Sequence, residues 1–212
     1  ESLIEKILEE SKDKAVALFG GGFKPPTKGH LEVVNQGIKT NPEVSEVKIL
    51  VGGGERNGIT KEEATAIWEV YAKHLTNVEI LDGQKNPMFA AKEYAQSNPD
   101  QEFLAVTGLR SDKDFVDLRR ITTFKNAPNV QGLALAAAPG SGVRATDFRK
   151  SILSGNLDTI LDFFPKELSR EQILSILTDL KQKIVAEVLN SKLEDLFESW
   201  FVDKRELKEG SK

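Results

Sequence analysis

Along the first two thirds of the chain, short apolar runs ending in glycine alternate with stretches of helical period. Lys14–Phe19 (KAVALF) is apolar at both odd and even positions and runs into Gly20-Gly21-Gly22, which predicts a buried strand. Leu31–Ile38 then reads as a helix, and Val47–Val51 (VKILV) as a second strand ending in Gly52-Gly53-Gly54. Thr60-Lys61-Glu62-Glu63 carries the spacing of a capping box, so a helix opens there and extends to about His74. Val78–Leu81 is a third strand, and Asn86-Pro87 opens another helix with proline at its first position. Phe103–Thr107 and Leu133–Ala137 complete the strand set, the first ending in Gly108 and the second in Pro139-Gly140. Ala145–Leu153 is a helix stopped by Gly155.

Strands alternating with helices predict an α/β, Rossmann-like parallel sheet with helices on both faces. Ligands in such sheets sit beyond the carboxyl ends of the strands, and the glycines mark that edge. From Ser169 the pattern changes: Ile173, Leu177, Leu180, Ile184 and Val188 keep one helical face, continued by Leu193, Leu196, Phe197, Trp200 and Phe201. The expected organisation is an N-terminal helix over 1–13, a sheet domain over 14–165 and a helical extension over 166–212. The extension could pack on the sheet domain or on another copy of the chain, making a homo-oligomer.

Composition narrows the function classes. A net charge of −4 disfavours a general nucleic-acid or membrane-surface binder. The chain has no cysteine, which rules out disulfides and thiolate chemistry and suits a cytoplasmic setting. No apolar run approaches the ~20 residues that span a bilayer, and the acidic, amphipathic ESLIEKILEESK is not expected to be a signal peptide.

The candidate chemistry concentrates in Gly20–His30, GGGFKPPTKGH, where a strand ends and a helix begins. Gly21, Gly22 and Gly29 let an anion approach the main chain, and the first amides of the helix lack intrahelical partners. His30 stands at the helix start, Lys24 and Lys28 add positive charge, and Thr27 adds a hydroxyl. The plainer alternative is a tight turn with a capping histidine. Arg110, just past Gly108, is a natural phosphate clamp, or else an ion-pair partner of Asp112 or Asp114. Ser141-Gly142 with Val143, Arg144, Thr146 and Arg149 makes a second anion nest, or an ordinary helix cap. Arg56 follows the second strand-end loop, where a flexible turn is an equally good reading. His74 has no assigned chemistry, and Trp68 and Trp200 belong on apolar faces.

Gly21, Phe23, Pro25, Thr27, Gly29 and His30 fill the pattern G-x-F-x-P-x-[HT]-x-G-H. It resembles the first signature of the cytidylyltransferase-like (HIGH-motif) nucleotidyltransferase superfamily, with Thr27 as in phosphopantetheine adenylyltransferases. Thr107–Phe115 looks like that subfamily's R-G-L-R-x-x-x-D-F segment. Gly142–Arg149 occupies the place of the second signature, ISSTxxR, and Phe163-Phe164-Pro165 is similar to the F-L-P that follows. The resemblance runs in the same order over residues 14–180. It departs at Lys24, where aspartate or glutamine is common, at Thr107, where the subfamily carries an acceptor-gripping arginine, and at Arg144 and Ala145, which replace two serines.

The resemblance implies a nucleotidyltransferase, in the first place an adenylyltransferase, that moves a nucleoside monophosphate from ATP or CTP to a small phosphorylated acceptor and releases pyrophosphate. His30, Lys24 and Arg110 would be the catalytic group. Gly21, Gly22, Phe23, Thr27, Gly29, Gly108, Val143, Arg144, Thr146 and Arg149 would line the nucleotide site, and Thr27 and Arg56 would meet the acceptor. Mg²⁺ would be held by substrate and water, with no protein ligand set. The alternatives are a nicotinamide-mononucleotide adenylyltransferase, a cytidylyltransferase, or a non-catalytic nucleotide-binding or assembly module. An NAD-dependent oxidoreductase fits poorly, because Gly20-Gly21-Gly22 is not G-x-G-x-x-G.

Overall fold

The computed structural model describes residues 14–56, 58–109, 122–136, 145–154 and 157–180, with 182, 185 and 186. Five strands form one parallel sheet: β1 (Ala15–Gly21), β2 (Val44–Val51), β3 (Val78–Asp82), β4 (Phe103–Leu109) and β5 (Val130–Ala136). Their spatial order is β3-β2-β1-β4-β5. The chain therefore steps outward from β1 to β3, then crosses back to lay β4 on the other side of β1. That reversal puts the crevice of a doubly wound sheet at the carboxyl ends of β1 and its neighbours.

Both faces of the sheet are covered, as the two-sided apolar runs require. Along β1, Ala17 and Phe19 point into one buried cluster while Val16 and Leu18 point into the other. The larger cluster holds α1 (Lys28–Glu32), the π-helical turn Val33–Ile38 that continues it, and α2 (Lys61–Ala72). It also takes Phe148 and Ile152 of α4 (Ala145–Ser154) and Ile160 of α5 (Leu157–Leu161). The opposite cluster is built on α3 (Pro87–Gln96), through Met88, Ala90, Ala91 and Ala95. The helix expected over Leu31–Ile38 thus begins earlier, at Lys28, and widens to the π form from Val33.

The helix starts follow their sequence signals. In α2 the Thr60 N–H donates to Glu63 Oε2 at 2.9 Å, and the Glu63 N–H donates back to Thr60 Oγ1 at 3.2 Å. This reciprocal pair satisfies two amides that no helical carbonyl can reach. Ala64, Ile67, Trp68 and Tyr71 then face the core. In α3, Asn86 Oδ1 accepts from the amides of Met88 and Phe89, with Pro87 where no donor is needed.

The segment after Phe164 joins the same core. Leu168, Ile173, Ile176 and Leu180 are buried in the larger cluster with Phe148, Phe163 and Phe164. The helix over 170–180 therefore turns Ile176 inward, while Leu177 of the expected stripe is only half-buried. Residues 1–13 and the later stripe positions Ile184, Val188, Leu193, Leu196, Phe197, Trp200 and Phe201 lie outside the described residues.

Glycine is demanded where strand ends meet. A Cβ on Gly52 would lie 2.6 Å from the Gly83 carbonyl oxygen and 2.8 Å from Pro87 Cδ. Gly54, two residues on, has nothing within 4 Å of that position. Gly52→Ala should therefore destabilise the fold by about 1–3 kcal/mol, the range of overpacking in a tight site. Gly54→Ala should stay within about 0.5 kcal/mol of the parent. Urea unfolding of the two variants checks this; equal stabilities would refute the close-approach argument.

Candidate active site

Three loops converge at the carboxyl edge of β1, β2 and β3. The Gly52 amide donates to the Gly21 carbonyl at 3.0 Å, the Gly83 amide to the Val51 carbonyl at 2.8 Å, and the Gly53 amide to the Gln84 carbonyl at 2.9 Å. The glycine-rich loop after β1 is thereby held against the loop after β2, and that loop against the one after β3.

Within the first loop, Phe23 adopts φ +48, an uncommon conformation for a non-glycine residue. Its ring is buried and packs edge-on against His30 (centroids 5.1 Å), edge-on against Trp68 (5.3 Å), and at a tilt against Phe19 (5.2 Å). Tyr71, itself against Trp68, donates its buried hydroxyl to the Pro26 carbonyl at 3.4 Å. Two aromatic residues of α2 thus brace the loop from below. The local sequence did not mark them for that task, beyond placing them on an apolar helical face.

His30 and Thr27 form a capping box in which an imidazole takes the place of the usual carboxylate. The Thr27 amide donates to His30 Nδ1 at 3.0 Å, with the Thr27 hydroxyl 2.9 Å from the same nitrogen. An Nδ1 that accepts from an amide leaves the neutral ring's proton on Nε2. Capping and phosphate contact are therefore compatible uses of the one ring, since they engage different nitrogens. Thr27 is buried and His30 partly exposed.

Lys24 is buried, and its ammonium donates to the Gly52 carbonyl at 3.4 Å. Desolvation holds its pKa below that of a free lysine, against the opposing pull of Glu62. Arg149, on α4, donates from Nη1 to the Lys24 carbonyl at 2.9 Å. Arg149, expected from the sequence in a second cluster, thus reaches the backbone of the first. A further tie runs from the Lys28 amide to the Phe163 carbonyl at 2.9 Å. Phe163 and Phe164 pack on Phe148 of α4, at 5.1 and 5.4 Å between centroids.

Gly21 closes β1, Gly22 follows it and Gly29 stands in the first turn of α1, while Gly108 sits inside β4 rather than after it. Thr146 belongs to the first turn of α4, although its side chain is not among those described. Arg110, Val143 and Arg144 lie outside the described residues. Arg56 is exposed on a tight turn whose amide and carbonyl pair with Ile59. Thr107, where the resembling enzymes carry arginine, is buried at the end of β4.

Beside the loop lies a cavity of about 440 Å³ that the sequence reading did not anticipate. Its wall includes the backbone of Gly53 and Gly54, the start of α2 from Thr60 to Glu62, and Asp82, Gln84 and Lys85 after β3. Lys61 donates to both oxygens of Asp82, at 2.9 and 3.0 Å. Asp82 also accepts from the Gln84 amide at 2.7 Å, and the lysine and this amide lower its pKa. The glycine loop after β2 and the capping box were the sequence signals near this wall; the partnership across to β3 is tertiary.

Comparisons with known proteins agree with this fold. No family model matches the chain. The phosphopantetheine adenylyltransferase of Leuconostoc citreum is 29% identical over 157 residues, covering 72% of this chain and 92% of that protein. The enzyme of the same name from Finegoldia magna is 24% identical over 173 residues, covering 81% and 97%. The chain is thus similar over most of its length to proteins named phosphopantetheine adenylyltransferase. Solved structures share its fold. A protein named as a nicotinate-nucleotide adenylyltransferase, from Vibrio parahaemolyticus, superposes with a TM-score of 0.57 at 17% identity, over 79% of this chain and 95% of its own. Thermotoga maritima TmcAL, solved with alpha-thio ATP, superposes with a TM-score of 0.52 at 11% identity, over 84% and 56%. As in those folds, the architecture here is α/β and Rossmann-like. No helix among the described residues is long and apolar enough to cross a membrane.

The buried Lys24 gives a pH test. Its folded pKa lies below the 10.5 of a free lysine, so the unfolded chain binds more protons in the interval between the two values. Stability of the ligand-free protein should therefore gain a contribution from Lys24 as pH rises through that interval. Lys24→Met should lack this increase while matching or exceeding parent stability at neutral pH. Urea unfolding across the alkaline range checks both; a Lys24→Met protein that parallels the parent at every pH would contradict the burial argument.

Proposed function

We propose that the protein is an adenylyltransferase that transfers AMP from ATP to a small phosphorylated acceptor and releases pyrophosphate. The observation that carries this is the Gly21–His30 loop, folded with His30 Nδ1 on the Thr27 amide beside the buried Lys24 and the Arg149 tie. The similarity to enzymes of that activity over 90% or more of their length supports it.

In the mechanism, a phosphate oxygen of the acceptor attacks the α-phosphorus of ATP in line. That P–O bond forms as the bond to the bridging oxygen of the β-phosphate breaks, and the electron pair leaves with pyrophosphate. No protein nucleophile is required. The protein's task is to bring two anions together and to oppose the charge that spreads over the phosphoryl oxygens. His30, donating from Nε2, and Lys24 serve the α- and β-phosphates. Arg110 and the first turn of α4, with Thr146 and Arg149, serve the β- and γ-phosphates, with Arg149 also holding the loop. Thr27 orients the acceptor phosphate and Arg56 gives it a second grip. The acceptor's remaining body occupies the cavity beside the loop.

Mg²⁺ neutralises polyphosphate charge when it is bound with the nucleotide. Among the described residues no three His, Asp or Glu side chains converge, and phosphate oxygens and water are the better ligands for such an ion. A cytoplasmic setting suits a nucleotide-using chain without cysteine.

Purified protein with ATP, Mg²⁺ and a panel of phosphorylated acceptors should release pyrophosphate. His30→Ala should lower kcat by about 10²-fold, the scale of losing one preorganised donor, with a smaller change in KM for ATP. Unaltered turnover in that variant would remove His30 from the reaction, and no pyrophosphate from any acceptor would overturn the assignment.

A further inference from the structure

We propose that Trp68 is a positioning residue for the transfer reaction: through the ring of Phe23 it sets the orientation in which His30 presents Nε2 to the nucleotide. This rests on the reading above that His30 acts on the phosphates, and it adds a residue of α2 that touches neither substrate.

The Trp68 indole is fully buried, yet its Nε1–H has no hydrogen-bond partner among the described residues. Buried donors are nearly always paired, and one left without an acceptor costs the desolvation of that group. A phenylalanine or leucine at this point of α2 would carry no such donor. Stability alone therefore does not account for the indole, and departures of that kind concentrate where function imposes a shape. What the indole supplies is the reach of a second ring. It meets Phe23 edge-on at 5.3 Å between centroids and Tyr71 edge-on at 5.7 Å.

The seat of Phe23 is closed from another side by the end of β1. A Cβ on Gly21 would lie 2.7 Å from Phe23 Cζ and 2.8 Å from Cε1. Gly21 is not among the glycines at positive φ, so the ring, and not the backbone conformation, requires it. Gly22 differs, with only the Gly52 carbonyl oxygen nearby, at 3.8 Å from the Cβ position. Phe23 is thus wedged among Gly21, Phe19, Trp68 and His30.

The wedge matters for the imidazole. The Thr27 amide on Nδ1 decides which nitrogen faces outward, but one hydrogen bond leaves the ring able to pivot about it. Phe23, at 5.1 Å and 87° to the imidazole, restrains that pivot. A donor aimed in advance at developing charge is effective because it needs no reorganisation as the reaction proceeds.

NMR of the full chain labelled with ¹⁵N-histidine reads the ring without requiring turnover. The chain's other histidine is His74, so His74→Gln assigns the signals. At alkaline pH, where the imidazole is neutral, His30 should show the well-separated nitrogen shifts of a fixed Nε2–H tautomer. Trp68→Phe should draw the two shifts together, as a ring released from the amide populates both tautomers. Gly21→Ala, which pushes Phe23 from the other side, should do the same and serves if the first variant fails to fold. With ATP and a productive acceptor, Trp68→Phe should lower kcat by about tenfold while KM for ATP changes less than about twofold, the pattern of a misplaced group rather than lost binding. Parent-like histidine shifts in both variants would overturn the proposal, as would parent-like kcat in a variant whose tautomers had become mixed. If the parent releases no pyrophosphate from any acceptor, the transferase reading falls, and the histidine spectra still decide whether Trp68 governs the ring.

Discussion

Three strand ends in this protein approach one another more closely than side chains permit. The Gly21 carbonyl receives the Gly52 amide, the Val51 carbonyl receives the Gly83 amide, and a Cβ on Gly83 would stand 2.8 Å from the Gly52 nitrogen. Parallel strands cannot achieve this by sheet pairing alone, because pairing ends with the ladder and the chains then diverge into their loops. Glycine extends the contact by a residue or two past the ladder. The Gly20–His30 segment, the Gly53–Gly54 loop and the loop after β3 are consequently held together, and the last two line the cavity.

A second layer of constraint comes from beneath. Phe23 at positive φ would be costly in isolation, of the order of 1 kcal/mol or more. It is held by contacts with Phe19, His30 and Trp68, while Tyr71 takes the Pro26 carbonyl. His30 is thereby fixed twice, by Phe23 through packing and by Thr27 through hydrogen bonding. Arg149 and Phe163 attach the later part of the chain to the same loop, by way of the Lys24 carbonyl and the Lys28 amide. These long-range ties, spanning more than a hundred residues, make the loop a product of the whole domain.

Much of this architecture was legible in residue patterns. KAVALF, VKILV and FLAVT are apolar on both sides and could only be strands buried between layers. Thr60–Glu63 and Asn86-Pro87 mark helix starts by local hydrogen-bond chemistry, and both behave as their spacing demands. The turn from strand to helix at Gly21–His30 was legible because its residues are contiguous. Its resemblance to a known signature was legible for the same reason. The π turn at Val33–Ile38 was not, since its residues suit an ordinary helix equally well. Nor was the inward turn of Ile176: the helix carries apolar residues on more than one side, and its neighbours choose among them.

Local order along the chain determined the strand and helix succession, the glycine-marked edge and the histidine–threonine pair, because each depends on residues within a few positions of one another. Folding in three dimensions decided which side of β1 receives β4, that Arg149 reaches the Lys24 carbonyl, and that Lys61 meets Asp82. Those outcomes depend on groups far apart in sequence, brought together by burial of a shared core. A linear pattern records which groups need partners; the packed structure selects the partner.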